Sequence, residues 1–218
     1  MISDIQLIDI SYPIDSDIAI YPGNPVFRMN EVMNRKSGDS ANVSEIVIGT
    51  HTGTHIDAPS HFIEGGMTVD EIPLERLSGK AKVIDAMGRT VIGDDFLSRC
   101  DIGADDILLF KTDTSKSWNC DSIMEEYTTL TYKAADYLVD RRVKLVGIDY
   151  LTIERPRGKR EDGKSVHMIL LENNILICEA LNLRDVLPGE YSFYCFPLIL
   201  RGADGCPVRA VLYQERCF

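Results

Sequence analysis

Apolar positions change period several times along this chain, and the changes mark out its elements. "QLIDIS" (6–11) alternates apolar and polar residues, the period of a half-buried strand. "DIAIYPGNP" (17–25) predicts a strand ending in a Pro-Gly turn, and "NVSEIVIG" (42–49) alternates again. "DEIPLERLSG" (70–79) predicts a short helix with a glycine stop, and "AKVIDA" (81–86) a strand. "IGDDFLSRCD" (92–101) predicts a helix and "DILLFKTD" (106–113) a strand buried on both faces. "TYKAADYLVDRR" (131–142) has helical spacing, and "VKLVGID" (143–149) is a second buried strand. "SVHMILLENN" (165–174) predicts a short helix. "ILICEAL" (175–181), "YSFYCFPLIL" (191–200) and "PVRAVLYQ" (207–214) predict strands. Helices and strands alternate, with extra strands at both ends, so a mixed α/β domain with a central sheet is expected.

Length and composition narrow this picture. A chain of 218 residues is expected to form one domain spanning 1–218, and 44% apolar content is enough for a core. The formal charge of −11 argues against nucleic acid or an anionic membrane as partner, since both select basic surfaces. It suits an enzyme of small molecules. The N-terminal stretch has neither a basic n-region nor a long apolar run, so a cytoplasmic location is expected. The six cysteines form no C-x-x-C pair and are expected as free thiols. "ERPRGKREDGK" (154–164) mixes acids and bases and is expected as a solvated loop.

The candidate chemistry is concentrated in "HTGTHIDAPSHF" (51–62). It holds three of the four histidines, His51, His55 and His61, together with Asp57. Extended backbone puts His51, His55 and Asp57 on one face, but leaves the two imidazoles ~13 Å apart at ~3.3 Å per residue. Metal–nitrogen bonds of about 2.0–2.1 Å need convergence. The chain must therefore bend, and Gly53 bends at least cost. A helix is disfavoured by Thr50, Thr52, Gly53 and Thr54, with Pro59 following. A bent strand running into a loop is expected, with Asp57 adding an oxygen donor. His61 is either a further ligand or an acid–base group, its ordinary pKa near 6.5 suiting proton transfer. The fourth histidine, His167, and Glu179 are distant in sequence. Glu179 falls within an apolar strand, where a carboxylate needs a cation or a strong donor. A mixed N/O set without sulfur, with room for water, suits catalysis better than a closed structural site.

These residues resemble a known family. "HTGTHIDAPSHF" is similar to the H-x-G-T-H-x-D-x-P-x-H-F signature of the metal-dependent cyclase/hydrolase family, whose members include bacterial kynurenine formamidase (arylformamidase) and isatin hydrolase. "IDISYPIDSDIAIYPGNP", "HMILLENNILICEAL" and "ADGCPVRAVL" resemble its other conserved segments, so the likeness covers nearly the whole chain. It implies a swivelling β/β/α fold. It implies that His51, His55 and Asp57 bind a divalent metal, with Asp57 bridging to a second ion at His167 and Glu179, and that His61 is the catalytic acid/base. It also implies a homodimer or homotetramer. Asn24 stands where formamidases commonly carry Asp, and Glu172 fits the His-then-Glu pattern less well than Glu179. The donor set suits Zn2+, as one or two ions, and also Mn2+. Tyr21, Phe62 and Trp118 are candidate aromatic walls for a substrate, Phe62 the best placed because it directly follows His61.

The expected activity is hydrolysis of a small aryl formamide or cyclic amide, N-formylkynurenine to kynurenine plus formate being the type reaction. Metal-held hydroxide would be the nucleophile and His61 the proton relay. The alternative keeps the metal and changes the reaction to that of a cyclase, dehydratase or lactonase. A non-enzymatic binding protein is disfavoured by the intact set of candidate ligands.

Overall fold

The structure is a computed structural model that describes residues 6–156 and 158–214. The strands are β1 (Gln6–Asp9), β2 (Arg28–Met33), β3 (Val43–Val47), β4 (His55–Asp57), β5 (Ser78–Asp85), β6 (Val91–Ile92), β7 (Ile107–Lys111), β8 (Thr129–Leu130), β9 (Leu145–Ile148), β10 (Leu176–Glu179), β11 (Gly189–Tyr194), β12 (Gly205–Pro207) and β13 (Val211–Gln214). The helices are α1 (Asp94–Leu97), α2 (Thr114–Ser117), α3 (Tyr132–Asp140) and α4 (Val166–Glu172). Nine strands form one mixed sheet in the order β1-β13-β11-β5-β7-β9-β10-β4-β12. Its centre, β5-β7-β9-β10, is parallel, and both wings are antiparallel.

The central strands are apolar throughout because both of their faces are covered. Leu108, Phe110, Val146, Ile148 and Ile177 meet the helices, among them Ala134, Ala135 and Leu138 of α3 and Ile169 and Leu170 of α4. Ile107, Leu109, Leu145, Leu176 and Cys178 face the other way. They pack against Ile56, Tyr191, Phe193 and Leu212, side chains of the sheet's own wings. The sheet therefore curls over itself on one face and carries helices on the other, the β/β/α arrangement expected of a cyclase-like fold.

Several local expectations change. Residues 17–25 form no strand. Ile18 and Ala19 are buried instead in a small cluster with Tyr12, Trp118 and Tyr150, and the Ala19 amide donates to the Cys120 carbonyl. Apolar alternation there serves a loop that packs without a strand partner. The helix expected at 70–79 is a pair of 3-10 turns, Val69–Glu71 and Leu74–Arg76, separated by Pro73, whose ring ends the first. The strand expected over 191–200 leaves the sheet after Tyr194, and Leu198 and Ile199 are exposed. Only Val211–Gln214 of the last predicted segment joins the sheet as β13; Pro207 closes β12. The β2–β3 hairpin is a separate two-stranded unit, and β2 had no sequence signal.

Candidate metal centre

Register builds the centre. In β10–β4, Glu179 lies opposite His55 and Ile177 opposite Asp57. Cross-strand partners share a face. Ile177 packs in the helix-side core, so His55, Asp57 and Glu179 all face the helices. His167 enters from that side, in the first turn of α4. Ser165 caps this helix by accepting from the Met168 amide, and Glu154 accepts from the amides of Val166 and His167, donors that a helix start leaves unpaired.

His51 arrives through the expected bend. Gly53 has φ +63°, and a Cβ there would meet Ile18 Cδ1 at 2.9 Å. The His51 ring lies against β12, where only glycine leaves room: a Cβ on Gly205 would sit 2.5 Å from His51 Cε1.

Asp57 is the hub. Its Oδ1 lies 2.7 Å from His51 Nδ1 and 3.3 Å from His55 Nε2, and its Oδ2 lies 3.5 Å from His167 Nε2. His167 Nε2 is 3.1 Å from Glu179 Oε1. Donor atoms of His51–His55–Asp57 and of Asp57–His167–Glu179 converge within 4.8 Å in each group. Each histidine is also held from behind. His55 Nδ1 donates to the Gly53 carbonyl (2.8 Å), which leaves Nε2 facing the hub. His51 Nε2 meets Asp204 Oδ2 at 3.1 Å, and His167 Nδ1 faces Glu154 Oε1 at 3.0 Å. Partners on the far ring nitrogen are what orient a metal-ligating imidazole.

The residues present fit a divalent ion. Asp57 Oδ2 is buried and accepts no hydrogen bond. An unmade bond at a buried carboxylate is costly, and a cation between Oδ2, His167 and Glu179 would satisfy it. The donors are nitrogen and oxygen only, the set that suits zinc or manganese. The charges of the cluster act on one another. Burial pushes Asp57 up, but His167, His51 and His55 outweigh it and hold its carboxyl well below the usual range. Burial, and then the Asp57 charge, raise Glu179. Burial opposes a charge on His51, yet Asp57 and Asp204 hold its pKa up at about 9.

His61 differs from the other three. It stacks on His51, with ring centroids 3.9 Å apart, and its Nδ1 lies 3.6 Å from Asp204 Oδ2. Burial brings its pKa down to about 4, well below the ordinary value that the sequence suggested. His51, His61 and Asp204 also form a third group of convergent donors.

A cavity of about 360 Å³ opens over the cluster. Tyr21 and Phe62 line it, with Asn24, Leu151, Met168 and Lys159, and Phe62 stacks on His167 at 4.7 Å. Trp118 does not line it; it is core, packed against Tyr12 and Tyr150. Glu172 is exposed and paired with Lys164 at 2.6 Å, so it is Glu179 that meets His167. Glu154 and Asp204 had no signal as site residues. Glu154 opens a polar loop that reads as solvent-facing, although Asp204 stands in the quoted "ADGCPVRAVL" segment.

A curled mixed sheet with helices on one face and a carboxylate-centred histidine cluster on its β10–β4 pair defines the metal-dependent hydrolase class of fold. The comparisons narrow it. Residues 8–155 match the family model described as "Putative cyclase". Kynurenine formamidase of Bacillus mycoides (strain KBAB4) is 32% identical over 207 residues, 95% of this chain and 97% of the relative. Cyclase-like protein 3 of Oryza sativa subsp. japonica is 36% identical over 189 residues, 82% and 68% of the two chains. A solved structure described as a potential metal-dependent hydrolase with cyclase activity superposes with TM-score 0.83 at 34% identity, over 98% of this chain and 100% of that one. Isatin hydrolase A from Labrenzia aggregata superposes with TM-score 0.85 over 97% and 94% of the chains, and at 23% identity it speaks for the fold alone. The chain belongs to this cyclase family.

Proposed function

We propose that the chain is a metal-dependent hydrolase of a small aryl formamide or cyclic amide, arylformamidase-like, with N-formylkynurenine to kynurenine plus formate as the type reaction. One observation carries the reading: Asp57 turns one oxygen toward each of two convergent donor sets, beside the half-buried His61, whose pKa is brought down to about 4. Full-length similarity to a kynurenine formamidase supports it.

His51, His55 and Asp57 would hold one divalent ion, zinc or manganese, and Asp57, His167 and Glu179 a second. When bound, such an ion polarises a carbonyl and lowers the pKa of water toward ~7. The chain supplies the rest. His61, neutral at working pH, accepts a proton at Nε2, since its Nδ1 faces Asp204, and passes it to the leaving nitrogen. Asp204 steadies the imidazolium in between. Tyr21 and Phe62 flank the aromatic ring of the substrate.

The 1–218 chain acts as one domain, since its sheet takes strands from both ends of the sequence. It assembles as a homodimer or homotetramer. The β2–β3 hairpin supports this: Met29, Val32 and Ile46 are about 60% exposed, and an isolated hairpin is marginal in water. A cytoplasmic location fits five cysteines that are free thiols, Cys217 lying outside the described residues. No described helix is long and apolar enough to cross a membrane.

The test is hydrolysis of N-formyl-L-kynurenine by purified protein supplied with zinc or manganese. Formate release that a chelator abolishes is the expected result. No release from metal-loaded protein would overturn the formamidase reading and favour the cyclase, dehydratase or lactonase alternative, to which the cyclase-like relative lends support.

A further inference from the structure

The loop 154–164 is the most polar stretch of the chain, and its described basic residues divide into two kinds. Arg155 pairs with Glu126 at 3.1 Å, Arg160 with Asp136 at 2.6 Å and Asp162 at 2.7 Å, and Lys164 with Glu172 at 2.6 Å. Lys159 has no ion-pair or hydrogen-bond partner among the described residues. It is also the described lysine or arginine that lines the cavity over the cluster. The two cavity-lining carboxylates are already engaged. Glu154 accepts from the α4 amides and faces His167, and Glu179 accepts from the Ile153 amide and meets His167.

Position adds to pairing. The donors His55, His167 and Glu179 are buried at the cavity floor, whereas Lys159 is exposed at its mouth. The loop that carries it is braced by the three pairs above and by backbone bonds from Arg160 to Lys164 and from Gly163 to Arg160. The chain as a whole carries −11, which repels anions. An unpaired cation on a braced loop, facing into a ligand-sized cavity, reverses that field locally.

We propose that Lys159 docks an anionic group, a carboxylate, on the substrate at the end remote from the bond that is cut. The substrate class is then an aryl amide with an anionic tail. It reaches from the mouth to the floor, with its carbonyl among the buried donors. The substrate rests on the formamidase reading; the anion site does not. Lysine supplies a point charge rather than a bidentate fork, so arginine should serve in its place.

The experiment compares N-formyl-L-kynurenine with its methyl ester, using the metal-loaded wild type, Lys159→Ala and Lys159→Arg. The wild type is expected to favour the acid. Lys159→Ala should lower the acid-over-ester ratio of kcat/KM about tenfold, through KM rather than kcat, and Lys159→Arg should restore it. An unchanged ratio in Lys159→Ala overturns the proposal. If the wild type hydrolyses neither compound, the formamidase reading has failed. The anion site is then judged by titrating benzoate and benzamide into the same three proteins. A preference for benzoate that disappears in Lys159→Ala supports it. Equal benzoate binding by wild type and Lys159→Ala means that the metal alone holds the anion, and overturns it.

Discussion

The two halves of the donor cluster share Asp57 and differ in almost everything else. The first, His51 with His55, comes from one five-residue segment that folds back on Gly53. It is propped by a carbonyl two residues away and by the half-exposed Asp204. The second, His167 with Glu179, comes from a helix start and a strand end. It is fully buried, and Glu154 braces it while also capping the helix. The first half depends on local bending. The second depends on the tertiary fold, so damage to it should reach the stability of α4 as well as metal affinity.

Substitutions can separate the halves. The largest effect belongs to the residue they share. Asp57→Asn keeps the shape and removes the charge, so elemental analysis should find no retained ion in either half. Activity should fall further than the ~10²–10⁴-fold that loss of a positioned acid–base group produces. An Asp57→Asn protein that keeps its full metal content would mean that the two halves do not meet at this residue. His61→Ala should lower kcat by about 10²–10⁴-fold with metal content intact. Loss of metal instead would make His61 a ligand in the group it forms with His51 and Asp204.

Outer-carboxylate variants come next. Asp204→Asn and Glu154→Gln should each weaken metal binding by about 10–100-fold, measured by competition with a chromophoric chelator. They should part on heating: Glu154→Gln should lower the melting temperature of the metal-free protein and Asp204→Asn should leave it nearly unchanged. Equal thermal effects would erase the distinction between the halves. Gly53→Ala should be smallest, about 1 kcal/mol or somewhat more in denaturant unfolding, since alanine is strained at φ +63° and meets Ile18.

The same division governs what could be read from the chain. His51, His55 and Asp57 announce themselves because their spacing is local and Gly53 marks the bend. The central strands were equally plain, being apolar on both faces. His167 and Glu179 are different. Residue patterns show a polar group in an apolar element, and only the likeness to a family joined them to the first half. Their meeting depends on β10 pairing with β4, a contact across more than a hundred residues. Glu154 and Lys159 sit in a stretch whose alternating charges look solvated, because sequence does not show which charges find each other. Residues 17–25 show a similar limit: the alternation that predicts a strand is legible there, but the absence of a strand partner is not.

The β10–β4 ladder also acts as a ruler. Because His55 and Glu179 are cross-strand neighbours, the span between the two halves is the spacing of adjacent strands, about 4.5–5.5 Å between paired residues. Backbone hydrogen bonds set that length, and no side-chain replacement in the cavity alters it. Changes in Lys159, Tyr21 or Phe62 can therefore retune which molecule enters, while the distance across which the chemistry operates stays fixed by the sheet.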